Sequence, residues 1–418
     1  MERQKNWAGN YEYQARNILR PATIDEVQES VARSKKLKAL GTRHSFNGIA
    51  DSTEDLMSLE NLDRVISLDR ERLLVTVEGG IKYGELCRYL GAQGFTLKNL
   101  ASLPHISVAG ACATATHGSG DKNQNLSASV AEMEIVTASG DLCVLSREKD
   151  GDRFRGSVVH LGVLGVVTKL TLDIVPAFQI RQHVYSELPL AKLKEHFYDV
   201  VSTAYSVSLF TDWCRSVIDQ VWIKSLIDAN PVAETIYGAR LSMADVHPIG
   251  GISAQNCTPQ MGVAGPAHER LPHFRMEFTP SSGEELQSEY FVQREYAFDA
   301  LLAIDRLRDQ VAPLLQISEI RTIAADDLWM SPCYKQSCIA IHFTWKKDWP
   351  AVSKLIPLIE TGLDRFGARP HWGKLFAMGH EKLQSLYKRL PDFVELMLEL
   401  DPGGKFRNEF TERHLLGK

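Results

Sequence analysis

The 418-residue chain is poor in cysteine, and its seven cysteines follow no metal-binding or pairing pattern. An odd set scattered from Cys87 to Cys338, with no CxxC pair, excludes a legible disulfide framework or cysteine zinc site and points to reduced thiols. No run of about 18 apolar residues occurs, so no membrane span is expected. The opening "MERQKNWAGNYEYQ" has no apolar stretch of the kind a secretory leader needs. Excess charge of one sign is missing too: 47 Lys and Arg against 52 Asp and Glu leave a net charge of −5, which gives nucleic acid or an anionic membrane no grip. These absences describe a soluble, cytoplasmic protein. No G-x-G-x-x-G follows the first strand-like run, which disfavours a Rossmann dinucleotide fold, and "HGSGDK" (117–122) lacks P-loop spacing.

What is present is ordinary in amount and unusual in arrangement. Hydrophobic residues at 44% suit a globular chain, and the length exceeds one ordinary core, so two domains are expected. In the first ~175 residues, Thr23 and Glu26 form a capping-box pattern ahead of an apolar helical face at Ile24, Val27 and Val31. Strand-like runs follow at 37–40, 64–69 and 73–80, then a helix at 83–94, a hairpin over 131–146 and a strand over 164–176. The second part alternates apolar and polar residues at 273–280, 316–324 and 338–345, which predicts antiparallel strands. Helical patterns at 297–315 and 349–366 cover that sheet. The expected class is α+β in two domains: 1–175, then 176–375 built on an antiparallel sheet flanked by helices. A terminal segment, 376–418, is expected to return to the first domain.

Three stretches could carry chemistry. "ASLPHISVAGACATATHGSG" (101–120) is dominated by small residues, which let a backbone approach a ligand closely and offer successive N–H groups to an anion. A tightly packed helix or turn in the core is the alternative. Glu319 and Arg321, and likewise His342 and Thr344, are two apart in alternating runs and so share strand faces. Such a face is either solvent-exposed or buried with partners among its own groups or a polyhydroxylated ligand. "ARPHWGKLF" (368–376) sets His371 and Lys374 among bulky residues, where a lysine with a buried stem at the surface would be unremarkable. "GTRHSFNG" (41–48) is odder: a tight turn after a short strand suits a phosphate cradle, yet it carries an imidazole, His44.

In order along the chain, "GTRHSFN", "ASLPHISVAG…THGSG", "LGVVTKLTL", "YSVSLFTDW", "HERLPHFRMEFTPSSG", "SEIRT", "HFTW", "RPHWGK" and "GKFRNEF" resemble the alditol oxidases of the vanillyl-alcohol-oxidase (VAO/PCMH) flavoprotein superfamily, over nearly the full length. The resemblance implies a two-domain FAD-binding fold with a substrate-binding cap. It implies FAD linked covalently through His44, with Leu40, Gly41, Thr42, Arg43 and Ser45 in the same turn. Ser107, Gly110, Thr114, Ala115, Thr116, His117, Val167 and His371 match further FAD-contacting positions. Ser102, Glu319, Arg321 and Thr344 match positions that bind a linear polyol. His342 and Lys374 are implied near the reacting C1 hydroxyl, and His342 is expected to be the base because an imidazole titrates near working pH. The implied partners are a small-molecule polyol and O2, with no metal, and a monomer is expected. A sugar-lactone oxidase of the same superfamily, a dehydrogenase using another acceptor, and a non-catalytic sugar-binding protein are the rival readings.

Overall fold

The computed structural model describes residues 3–229, 233–276, 278 and 284–418. Ile24–Arg33 is helical because Val27 and Val31 repeat on one buried face and Thr23 caps the first turn, accepting a bond from the Glu26 N–H at 3.2 Å. The Glu26 carboxylate reaches back to the Ala22 N–H at 2.7 Å, one residue before the cap expected to receive it. Parallel pairing of Asn17–Leu19 and Leu37–Leu40 with Asp55–Ser58 makes a small sheet, and the turn carrying His44 leaves directly from Leu40. A five-stranded antiparallel sheet follows, with Val166–Asp173 at its centre and the expected hairpin, Val130–Val136 and Leu142–Ser146, at one side.

The second half is organised by one large antiparallel sheet. Its central order is Gln179–Pro189, Val217–Leu226, Ser206–Thr211, Leu315–Ile323, Cys338–Lys346 and Glu285–Gln293. Trp349–Leu363 and Ala297–Asp305 pack together against it and bury Ile356, Ile359, Leu301 and Ile304. The helix expected over 297–315 is broken: it stops at Asp305 and restarts at Arg308–Val311, with the Arg308 side chain turned back onto the Asp305 carbonyl.

The strand expected at 273–280 is not formed among the described residues. Phe274 makes one isolated bridge to Cys257, and 277 and 279–280 lie outside the described residues. Alternation misled there because His273 turns inward for a side-chain partner rather than for a sheet face. The C-terminal segment packs on the N-terminal half: Phe406 joins the cluster of Val27, Val31, Leu37 and Val136, and Lys405 Nζ donates to the Ala138 carbonyl at 2.7 Å. All seven cysteines are free, and no described helix is long and apolar enough to cross a membrane.

Candidate active site

A cavity of about 850 Å³ runs between the N-terminal turns and one face of the large sheet. Of the residues implied above, Leu40 to Ser45, Ser102, Ser107, Gly110, Thr114, Thr116, His117, Val167, Glu319, Arg321, His342, Thr344, His371 and Lys374 all line it. Ala115 does not: its backbone turns through φ +54° and its methyl group packs into the core.

At one end the wall is mostly backbone. A Cβ placed on Gly41 or on Gly110 would meet Ser107 Oγ at 2.6 or 2.8 Å, so both glycines are there for close approach. Arg43 adopts φ +64°, a strained value for a side-chain-bearing residue. The turn is held from outside: the Trp7 N–H donates to the Arg43 carbonyl at 2.8 Å and Asn6 Nδ2 to the Ser45 carbonyl at 2.9 Å. His44 stacks on Trp7 with ring centroids 5.2 Å apart, and its Nδ1 lies 3.0 Å from Thr42 Oγ1. Its Nε2 is buried without a partner. Burial, helped by His105, pushes His44 down to about 4, so the ring is neutral.

At the other end the wall is side chains. Cross-strand register sets Glu289, His342 and Glu319 directly opposite one another on three adjacent strands, so all three share one face. Arg321 and Thr344 extend that face, and Glu319, Arg321, His342 and Thr344 are each at most 7% exposed. The face is buried, not solvated, and its charged groups pair with one another, while Arg321 Nε and His342 Nε2 are left without a hydrogen-bond partner. Glu289 accepts from Lys374 Nζ and from Arg321 Nη2, both at 2.7 Å, and lies 3.2 Å from His117 Nε2. Arg321 Nε lies 3.6 Å from Glu319. Although burial opposes ionisation, Lys374, His117 and Arg321 hold Glu289 well below the usual carboxylate range. Arg321 and His273 do the same for Glu319. Burial, then Lys374 and Arg321, push His342 well below the usual imidazole range, against Glu289 and Glu319, and its Nε2 has no partner. Lys374 is not a surface lysine.

The two ends are strapped together. The His371 and Leu375 N–H groups donate to the Glu289 and Gln287 carbonyls, and Asn47 Nδ2 donates to the Trp372 and Lys374 carbonyls at 2.9 and 2.7 Å. The stretch carrying Lys374 thus bridges the sheet and the His44 turn. His247, Pro248, Ile249 and Ile252 wall the sheet end on another side.

Two functional-looking residues escaped the sequence reading. Glu289 could have been found by the alternation that exposed Glu319, since Glu285, Gln287 and Glu289 recur at every second position of "ELQSEY". His273, whose Nε2 donates to Glu319 Oε1 across 2.7 Å, carried no signal beyond the mistaken strand.

With known proteins the chain shares most of its length. Residues 15–146 match the family described as an FAD binding domain, and residues 282–414 match D-arabinono-1,4-lactone oxidase. The chain is 50% identical to an alditol oxidase from a Streptomyces species, over 99% of both proteins. It is 28% identical to an L-gulono-1,4-lactone dehydrogenase of Mycobacterium tuberculosis, over 98% of both. Among solved structures, a cholesterol oxidase from B. sterolicum superposes with a TM-score of 0.79 at 15% identity, covering 99% of this chain and 96% of that one.

Proposed function

The chain belongs to the alditol oxidase family of FAD-binding oxidoreductases, within the VAO/PCMH flavoprotein fold, and from that premise we propose that it oxidises the C1 hydroxyl of alditols such as xylitol, sorbitol or glycerol to the aldehyde, with O2 reduced to hydrogen peroxide. The observation that carries the proposal is the buried row of Glu289, His342 and Glu319, flanked by Arg321 and Thr344 and opening into the same cavity as the His44 turn. Buried donors and acceptors of this kind favour a chain of hydroxyls and strongly reject analogues lacking one.

The cavity suits FAD on its own evidence: glycines that a Cβ would spoil, a backbone-lined turn, and a buried neutral imidazole with an unpartnered nitrogen. Leu40 to Ser45, Ser107, Gly110, Thr114, Thr116, His117, Val167 and His371 would hold it, and His44 would carry the covalent link. When bound, FAD supplies the redox chemistry, taking two electrons from the substrate carbon and passing them to O2.

The protein supplies the rest. Glu319, Arg321, Thr344 and Ser102 orient the polyol by hydrogen bonds. His342, neutral at working pH, takes the C1 hydroxyl proton on a ring nitrogen. Lys374 supplies a fixed positive charge worth up to about 4 kcal/mol at ~4 Å and an effective dielectric of ~20. Glu289 offsets part of that and, by pairing with it, keeps the ammonium in place. Functionally the division is 1–175 for FAD and 176–375 for substrate, with 376–418 returning to the first unit, and the protein acts as a cytoplasmic monomer.

The matched lactone oxidase family over 282–414 supports a second reading, oxidation of a cyclic aldonolactone. Turnover of xylitol, sorbitol, glycerol and an aldonolactone in air, with peroxide measured, decides between them. Alditol oxidation with equimolar peroxide is expected; turnover confined to the lactone would establish the second reading instead.

A further inference from the structure

Lys224 and His273 have no part in the roles above, yet both are buried beside the polar face, at 1% and 6% exposure. A lysine ammonium has three N–H donors and no lone pair. Around Lys224 Nζ there are three acceptors: the Leu271 carbonyl at 2.5 Å, the Pro272 carbonyl at 3.2 Å and His273 Nδ1 at 3.2 Å. Burial lowers Lys224 to about 7, and its N–H groups, as ammonium or amine, face these acceptors; Glu319, held ionised, can only accept, so His273 Nδ1 accepts from Nζ and the ring proton resides on Nε2. That nitrogen faces Glu319 Oε1 at 2.7 Å. Phe210 and Trp222 meet the imidazole edge-on, at centroid distances of 5.5 and 5.3 Å, and fix its plane.

We infer that Lys224 and His273 are positioning residues for alditol recognition: Lys224 fixes the Nε2–H tautomer of His273, and His273 holds one oxygen of Glu319 so that the other, beside Arg321, is presented to the substrate hydroxyls. This rests on the alditol reading. It deepens that reading by tracing hydroxyl recognition beyond the cavity wall to a buried lysine. Burial keeps His273 neutral, down at about 4, consistent with a ring that relays a hydrogen bond and carries no charge. The relay reaches Glu319, a hydroxyl-binding group, and does not touch Lys374 or the His44 turn. Its loss therefore weakens substrate binding and leaves the chemistry at C1 and the retention of flavin intact.

The test uses the flavin-loaded enzyme with xylitol. Lys224→Met and His273→Phe should each raise KM by about ten- to hundredfold, the worth of a hydrogen bond to a buried carboxylate, with kcat within about threefold and flavin content unchanged. His273→Gln keeps an N–H toward Glu319 whatever Lys224 does, so its KM should stay within about threefold of the parent. Adding Lys224→Met to it should then change KM no further. Unchanged KM in both Lys224→Met and His273→Phe overturns the inference. So does a fall in kcat matching the rise in KM, or a Lys224→Met effect that persists on the His273→Gln background. If Lys224→Met fails to fold, the contrast between His273→Phe and His273→Gln decides alone. An unsubstituted enzyme that oxidises no alditol defeats the functional reading itself, a result visible before any variant is compared.

Discussion

The two ends of the cavity are made by opposite means. The end proposed to hold the cofactor is shaped by backbone: two close-approach glycines, a strained φ at Arg43 and a neutral imidazole steadied by Thr42 and Trp7. The end proposed to bind substrate is shaped by paired side chains in a buried chain of alternating charge, Lys374, Glu289, Arg321, Glu319, with Lys224 closing it through His273. A backbone mould either admits a rigid group or does not. In a charge network, deleting one member leaves its neighbours only partly paired, and the cost depends on which charge is left uncompensated. Substitutions at the first end should therefore act as all-or-none, and those at the second in steps.

The sharpest break of that contrast is His44→Ala. Under denaturing conditions the intact protein should weigh the polypeptide plus one FAD, and the variant the polypeptide alone. A variant that keeps flavin through SDS would move the link to another residue and erase the distinction.

Next in size is Lys374→Ala. Removing a charge worth up to about 4 kcal/mol, partly offset by Glu289 at 2.7 Å, should slow anaerobic flavin reduction about 100- to 1000-fold. The lesion should stay local, since Glu289 keeps Arg321 and His117. An unchanged rate would remove Lys374 from the chemistry and leave the substrate end a recognition surface only.

The same contrast explains what the sequence made legible. Strand alternation has an exact period of two, so Glu319 and Arg321, and His342 and Thr344, were assigned to shared faces from spacing alone. What spacing could not say was whether that face met water, because burial depends on the Trp7-to-Phe46 turns and the 371–375 strap arriving from distant parts of the chain. Glu289 was readable by the same alternation and was passed over because nothing local marks its strand as a neighbour of Cys338–Lys346. His273 was out of reach: it sits in irregular backbone, and its partners, Lys224 and Glu319, are 49 and 46 residues away. At the cofactor end, resemblance alone pointed to the turn, and Ala115, matched to an FAD-contacting position, lies outside the cavity lining. A small residue within a cradle-forming run can face the core when its backbone turns the other way.

The smallest effect concerns His342 and comes from the substrate end's charge balance. Burial is the leading influence, and Lys374 and Arg321 add to it while Glu289 and Glu319 oppose it, leaving the imidazole well below its ordinary value. The competent form is the neutral base, so lowering the pH costs activity only as it passes through that depressed value. Between pH 7 and pH 6 the limiting rate of flavin reduction at saturating alditol should change by less than about twofold. An imidazole near the unperturbed value of about 6.5 would lose about threefold over the same interval. A limb centred there in the parent enzyme, and absent in His342→Gln, would keep His342 as the base but show that the surrounding carboxylates offset burial and the two cations. The same limb persisting in His342→Gln would assign the proton transfer to another group.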